Sequence, residues 1–201
     1  ERNHPAFDLL SRPKALLRRI TYPLADRVCV QTEEIRSWFA NNLGLDCAVI
    51  ENPVEIATPE APPHMQQHER PKRIVSLGRL EPQKGFDRLI AAFALADRAV
   101  PGWQLVIHGE GPLRGALEEQ VSHAGLEGRV LLPGVTRDVA GVLADCDLYA
   151  HSARYEGFPN AVIEALVARR AVVACDCPGA IGEILKGGAY GILCADAGPD
   201  E

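Results

Sequence analysis

The sequence predicts an α/β fold built on a doubly wound parallel sheet, together with part of a second α/β unit. Three observations predict it. From Arg73 onward, short runs rich in valine, isoleucine and leucine alternate with helical patterns. Within those patterns apolar residues recur at three- and four-residue steps, as in Phe86, Leu89, Ile90 and Phe93, which suits a helix lying on a sheet. Glycine-containing turns follow several of the strand runs. Repeated strand, helix, strand units need right-handed crossovers, and these make neighbouring strands parallel.

Taken in order, Leu16–Tyr22 reads as a helix, Ala25–Val30 as a strand, Glu33–Asn42 as a helix and Cys47–Ile50 as a strand. Two strands and two helices are too few to close a doubly wound domain, so residues 1–52 are expected to end a preceding domain. Residues 53–72 carry Pro53, Pro59, Pro62, Pro63 and Pro71 among polar residues and read as a linker. Residues 73–201 hold the main sheet. Its strands are predicted at Arg73–Leu77, Gln104–His108, Val130–Leu132, Leu148–Ala150, Ala171–Ala174 and Gly191–Leu193. Helices are predicted near Phe86–Arg98, Leu113–Ala124, Arg137–Ala144, Ala161–Ala168 and Ile181–Leu185. The sequence begins at Glu1 without methionine and stops after the last strand where a further helix is expected, so it is expected to be part of a longer protein.

Composition narrows the class. With 201 residues, 47% hydrophobic and 24% charged, the chain can bury one good core. No run approaches the roughly 18 apolar residues of a membrane span, and the first residues are neither a charged leader nor a secretory run. A formal net charge of -6 argues against nucleic acid as a partner. Cys29, Cys47, Cys175 and Cys194 lie in or beside apolar runs, where a thiol acts as a small buried hydrophobe. Cys175-Asp176-Cys177 has no partner pair and does not make a zinc site. The expectation is six reduced cysteines, Cys146 included, in a cytoplasmic protein.

Two stretches carry chemistry. In Gly78-Arg79-Leu80-Glu81-Pro82-Gln83-Lys84-Gly85, an arginine and a lysine follow a strand, with Gly85 opening the next helix. Ligands of open parallel sheets sit outside the carboxyl ends of the strands, and helix starts attract anions. Arg79 and Lys84 therefore suit a phosphate group, a fork beside a point charge; two exposed cations at a turn is the other reading. In Glu156-Gly157-Phe158-Pro159-Asn160-Ala161-Val162-Ile163-Glu164, Glu156 precedes a helix and Glu164 lies on it. Gly157 allows close backbone approach and Pro159 suits a first helical turn. Carboxylates accept from paired sugar hydroxyls; the alternative is a dipole-stabilising acid plus one buried or solvated glutamate.

Weaker signals lie on the same edge. Gly109 and Glu110 in His108-Gly109-Glu110-Gly111-Pro112, Gly134 before Val135, and Gly179 to Glu183 each follow a strand and together line a crevice. Asp145-Cys146-Asp147 has the two-acid form that holds divalent ions, but it closes a helix away from that edge. It reads as structural, and no metal is expected. His4, His64, His68, His123 and His151 have no ligand-set spacing; His151 either lines the site or is a satisfied structural histidine. Arg12 to Arg19 is basic, and either touches anionic lipid or forms the solvated face of a helix.

In combination these motifs are similar to the retaining glycosyltransferases of family 4, with the GT-B fold. The resemblance rests on Gly78-Arg79-Leu80 through Lys84-Gly85, Gly109-Glu110-Gly111-Pro112, Glu156 through Glu164-Ala165-Leu166, and Pro178-Gly179 through Glu183. Ala25 through Val30 and Val49 through Pro53 resemble the end of that family's first domain. It implies two facing Rossmann-like domains, with a nucleoside-diphosphate sugar held mainly by the second. Arg79 and Lys84 would bind the diphosphate, Glu156 would orient a sugar hydroxyl, and Glu164 would accept from the ribose. The backbone from Phe158 through Pro159 and Asn160 to Ala161, with its free amides, would lie near the distal phosphate or the sugar. A UDP-sugar is favoured over a GDP-sugar, no metal or other cofactor is implied, and the acceptor is a glycan or a lipid-linked molecule.

The resemblance further implies that most of the acceptor domain is missing here, leaving this chain incomplete for turnover. Two other readings stay open: a GT-B-like UDP-sugar 2-epimerase, for which no additional acid or base is identified, and a non-catalytic nucleotide-sugar-binding module.

Overall fold

Alternation along Trp103–His108 (β4) explains why the central sheet is covered on both faces. Leu105 and Ile107 join one buried apolar cluster, while Val106 between them joins another. The structure, a computed structural model, describes residues 5–6, 12–54, 71–96, 99 and 101–195.

Six strands form the main sheet: Lys72–Leu77 (β3), β4, Val130–Gly134 (β5), Leu148–His151 (β6), Ala171–Asp176 (β7) and Ile192–Ala195 (β8). Their spatial order is β5-β4-β3-β6-β7-β8, and every neighbouring pair is parallel. The helices between them are Phe86–Ala96 (α3), Arg114–His123 (α4), Val139–Ala144 (α5), Asn160–Val167 (α6) and Ile181–Ile184 (α7). From β3 the chain winds outward through β4 to β5, then returns through α5 to place β6 against the other side of β3. The reversal puts α3 and α4 on one face, burying Phe86, Ile90, Phe93, Leu117 and Val121. It puts α5, α6 and α7 on the other, burying Leu143, Val162, Ala165 and Ile181. Strands β3 and β6 therefore flank the switch point, where connections leave in opposite directions and a crevice opens.

A separate two-stranded parallel sheet precedes this one. Val28–Val30 (β1) pairs with Cys47–Val49 (β2), with Arg12–Thr21 (α1) before them and Glu33–Leu43 (α2) between them. Thr32 caps α2 by accepting from the Ile35 amide at 3.1 Å, and Gly44 ends it in the left-handed region. Ile35 and Phe39 project from α2 onto Val30 and Cys47 to form a small core.

The predicted strands and main-sheet helices are present, with shifted ends. Helix α5 begins at Val139 because Asp138 caps it, accepting from the Gly141 amide at 2.8 Å. Helix α1 starts earlier than expected and gives way at Tyr22–Leu24 to a 3-10 turn containing Pro23. Gly85 does not open α3. It adopts φ +64° and closes a 3-10 turn at Pro82–Lys84, directly before α3. Most of the proposed linker, residues 55–70, lies outside the described residues, as do His4, His64, His68 and the residues after Ala195.

The cysteines are all free. Cys47, Cys146 and Cys177 are buried and Cys175 is half-buried, but Cys29 and Cys194 are exposed, contrary to the expectation for apolar runs. Both sit on strands at a sheet edge, where one face is uncovered among the described residues. No helix of the described residues is long and apolar enough to cross a membrane.

Candidate functional site

A cleft of about 360 Å³ opens where β3 and β6 diverge. It is lined by Leu77, Gly78, Arg79 and Lys84 after β3, by Val139 of α5, by His151 at the end of β6, and by Phe158, Pro159, Asn160, Ala161 and Glu164. The sequence motifs that lie more than seventy residues apart in the chain thus meet because the winding reverses between their two strands.

Lys84 is fixed from several sides. Its carbonyl accepts from the Ser152 hydroxyl at 2.9 Å, and the Gln83 carbonyl accepts from the Arg154 amide at 2.8 Å. Arg154 donates to both Asp87 oxygens, at 2.8 and 2.6 Å, and to the Pro82 carbonyl at 2.8 Å. This fork holds the Asp87 carboxyl below its ordinary pKa and stitches the two loops together. A Cβ on Gly78 would stand 3.2 Å from the Lys84 Cδ and Cε, so the missing side chain makes room for the lysine stem.

Glu156 is buried beside the cleft rather than among its lining residues, and Lys84 Nζ donates to its Oε1 at 2.5 Å. Its own amide donates to the Pro178 carbonyl at 2.9 Å. Gly179, at φ +125°, lets that turn pass so close that a Cβ there would lie 2.1 Å from the Glu156 carbonyl oxygen. Gln83 also donates to the Tyr155 carbonyl at 3.0 Å. His151 is equally buried, with Nε2 3.7 Å from the same Glu156 Oε1. Burial first, then the charge of Lys84, pushes the His151 pKa down to about 3.

Arg79 stands at the rim, largely exposed, donating to Glu81 at 2.9 Å. Glu164 is half-buried on the second turn of α6, and burial raises its pKa above the ordinary carboxylate value. The N-terminal end of α6, from Asn160, borders the cleft and contributes the positive end of a helix. Gly109, Glu110, Gly134 and Gly157 do not line the cleft. The Gly109 amide donates to the Gly134 carbonyl at 3.0 Å, and Glu110 is gripped by Arg114 at 2.8 and 2.5 Å. The Gly157 carbonyl accepts from the Ala180 amide at 3.3 Å.

At the opposite end of the strands, Arg73 pairs with Asp145, and Asp147 accepts from the Arg73 amide at 2.7 Å. These acids fasten the start of β3 to the segment leading into β6. Among the described residues no three metal-ligating side chains cluster.

Nothing in the sequence marks Gln83, Ser152, Arg154 or Asp87 as site residues. Their partners are carbonyls or residues some seventy positions away, and no local spacing announces them. Two more contacts cross to the first sheet: Glu34 accepts from the Gly179 amide at 2.8 Å, and Asn52 donates to Asn160 at 3.1 Å.

Comparison with known proteins identifies the family and the fold. A curated glycosyltransferase of Methanocaldococcus jannaschii is 30% identical, over 88% of this chain and 46% of its own length. The N-acetylgalactosamine-N,N'-diacetylbacillosaminyl-diphospho-undecaprenol 4-alpha-N-acetylgalactosaminyltransferase of Campylobacter jejuni is 28% identical, over 87% of this chain and 48% of its own. The chain thus spans about half the length of these relatives. Among solved structures, a TarM mutant of S. aureus in complex with Fondaparinux, alpha-GlcNAc-glycerol and UDP superposes with a TM-score of 0.85. It is 26% identical, over 98% of this chain and 40% of that one. HepE of Anabaena in complex with UDP-glucose gives 0.78 at 25% identity, over 96% and 57%. The parallel α/β sheet is that of GT-B glycosyltransferases. Residues 71–201, well over half of the sequence, match the family described as glycosyl transferases group 1, and the chain belongs to that family.

Proposed function

We propose that the protein is a retaining glycosyltransferase of family 4 that transfers a sugar from a nucleoside-diphosphate sugar, a UDP-sugar in preference to a GDP-sugar. The observation that carries this reading is the meeting of Arg79, Lys84, the start of α6 and Glu164 around one cleft, with Glu156 bonded to Lys84. Cations and helix amides suit a diphosphate, and carboxylates suit hydroxyls on either side of it. The UDP in the TarM and HepE complexes supports the choice of base.

In this reading residues 73–201 form the donor-binding domain, residues 1–52 end the acceptor-side domain, and 53–72 link them. Arg79 and Lys84 bind the diphosphate, Glu156 orients a sugar hydroxyl and Glu164 accepts from the ribose. Gly78 and residues Phe158 to Ala161 line the pocket; Gly157 leads into that lining, and Gly109, Glu110 and Gly134 are assigned to the nucleotide side beyond it. Breaking the anomeric bond leaves a nucleoside diphosphate with new negative charge on the departing oxygen. Lys84 and Arg79 stabilise that charge more in the transition state than in the bound donor. The sugar is transferred with its anomeric configuration kept, the departing phosphate taking the acceptor's proton.

The proposed reaction uses no metal, a reading supported by the engagement of both acids of Asp145-Cys146-Asp147 with Arg73, away from the cleft. The acceptor is a glycan or lipid-linked molecule, a class supported by the diphospho-undecaprenol and poly(ribitol-phosphate) in relatives' names. The protein works in the cytoplasm, where exposed Leu16, Leu17 and Ile20 beside Lys14 and Arg19 offer a peripheral contact with anionic lipid. Calorimetry of the full-length protein against UDP- and GDP-sugars tests the reading. Binding of a UDP-sugar, with transfer to acceptor when one is supplied, is the expected result, and binding of no nucleotide sugar sinks it.

A further inference from the structure

His151 ends β6 at the switch point, so its ring lies in the same cleft as Arg79, Lys84 and Glu164. Its side chain is 6% exposed, and among the described residues its buried Nε2 has no hydrogen-bond partner. Glu156 Oε1, at 3.7 Å, is too far for a hydrogen bond. Buried polar atoms are nearly always satisfied, because stripping water from them without replacement is costly. A packing role alone leaves this nitrogen unexplained, since an apolar side chain would fill the same space without the cost. The ring is held neutral by burial and by the charge of Lys84. It can therefore supply one hydrogen bond without adding charge to a site that already holds a cation and a carboxylate.

We propose that His151 is a donor-contacting residue, its Nε2 hydrogen-bonding the nucleotide sugar where the distal phosphate meets the sugar. This rests on the donor-binding reading above. The position follows from the neighbours: Lys84, assigned to the diphosphate, and Nε2 both approach the same oxygen of Glu156, which is assigned to the sugar. A nitrogen placed between those two assignments meets the ligand at their junction.

Calorimetry with UMP and UDP-glucose, on the wild type, His151→Leu and His151→Gln, tests the assignment. UMP lacks both the distal phosphate and the sugar and serves as the internal control. His151→Leu is expected to weaken UDP-glucose binding about tenfold, the scale of one lost hydrogen bond, and to leave UMP unchanged. His151→Gln, with an amide near the place of Nε2, is expected to recover most of the loss. Equal UDP-glucose affinity in wild type and His151→Leu overturns the assignment, as does an equal loss for UMP. Nitrogen NMR of labelled histidine in the wild type does not depend on any variant folding. The His151 Nε2 resonance should move with UDP-glucose and stay put with UMP; no movement with either overturns the contact. A wild type that binds neither nucleotide defeats the donor reading itself, an outcome distinct from binding that ignores His151.

Discussion

Lys84 Nζ lies 2.5 Å from Glu156 Oε1, joining the loop after β3 to the loop after β6 across the switch point. The carboxylate is almost fully buried and the lysine is 21% exposed. Without a ligand the pair neutralises itself. With a diphosphate present, the lysine has a second anion within reach of the same anchored stem.

Lys84→Ala in the full-length enzyme should lower transferase activity at least tenfold, since removing one charge-stabilising donor costs about 2.7–4 kcal/mol in comparable sites. It should also lower stability by about 1–3 kcal/mol, because Glu156 is left buried without its cation. Steady-state kinetics and urea unfolding check the two effects separately, and wild-type turnover in the variant contradicts the role.

Gly78→Ala separates site from fold. Its backbone is not in the left-handed region, and the three atoms nearest the added Cβ all belong to the flexible Lys84 stem, at 3.2 to 3.3 Å. Stability should change by less than about 1 kcal/mol, while affinity for the diphosphate falls as the stem is pushed aside. Gly179→Ala should do the reverse, unfolding at markedly lower denaturant, because backbone at φ +125° and an oxygen at 2.1 Å both oppose it.

His151 makes stability depend on pH. Its folded pKa, about 3, lies below the value of about 6.5 in the unfolded chain. The unfolded state therefore takes up the proton first as pH falls. The contribution is complete above pH ~6.5 and is lost toward pH 3, by at most about 1.4 kcal/mol per pH unit. Subtracting the pH profile of His151→Gln from that of the wild type should leave this slope. A flat difference from pH 7 to 4 means that the ring is not held neutral.

Glu164 carries the opposite sign. Burial raises its folded pKa, so its contribution to stability is fully present below the ordinary carboxylate value and is lost as pH rises through the folded one. Glu164→Gln should thus stabilise the ligand-free protein at pH 7 while weakening nucleotide binding about tenfold. Thermal unfolding and calorimetry on the same sample check the pair of effects; a variant that binds normally removes Glu164 from the site.

EDTA should leave activity unchanged. Strict dependence on Mn²⁺ would contradict the assignment of Asp145 and Asp147 to fastening Arg73.

Much of this architecture was legible because it is local. Apolar steps at Phe86, Ile90 and Phe93 mark a helix that does bury those residues, and the Val-Ile-Leu runs mark strands covered on both faces. The placement of Arg79, Lys84 and Glu164 beside one cleft follows from a general property of parallel sheets, whose strand ends share an edge. What escaped was relational. Nothing near Arg154 announces that it will hold Asp87, and nothing near Gly78 reveals that its missing side chain makes room for Lys84. Cys29 and Cys194 looked buried because their neighbours are apolar, whereas exposure at a sheet edge depends on what covers the strand. Gly85 stands directly before a periodic apolar run and so resembles a helix start, but its left-handed backbone belongs to the turn before that helix.

The central claim is that the β3–β6 cleft seats a nucleoside diphosphate sugar, and a crystal structure of the chain soaked with UDP-glucose tests it most directly. The diphosphate should lie within hydrogen-bond distance of Lys84 Nζ and the Arg79 guanidinium, with ribose oxygens at Glu164. A nucleotide bound elsewhere, with Lys84 still closed on Glu156 and the cleft holding only water, would contradict it.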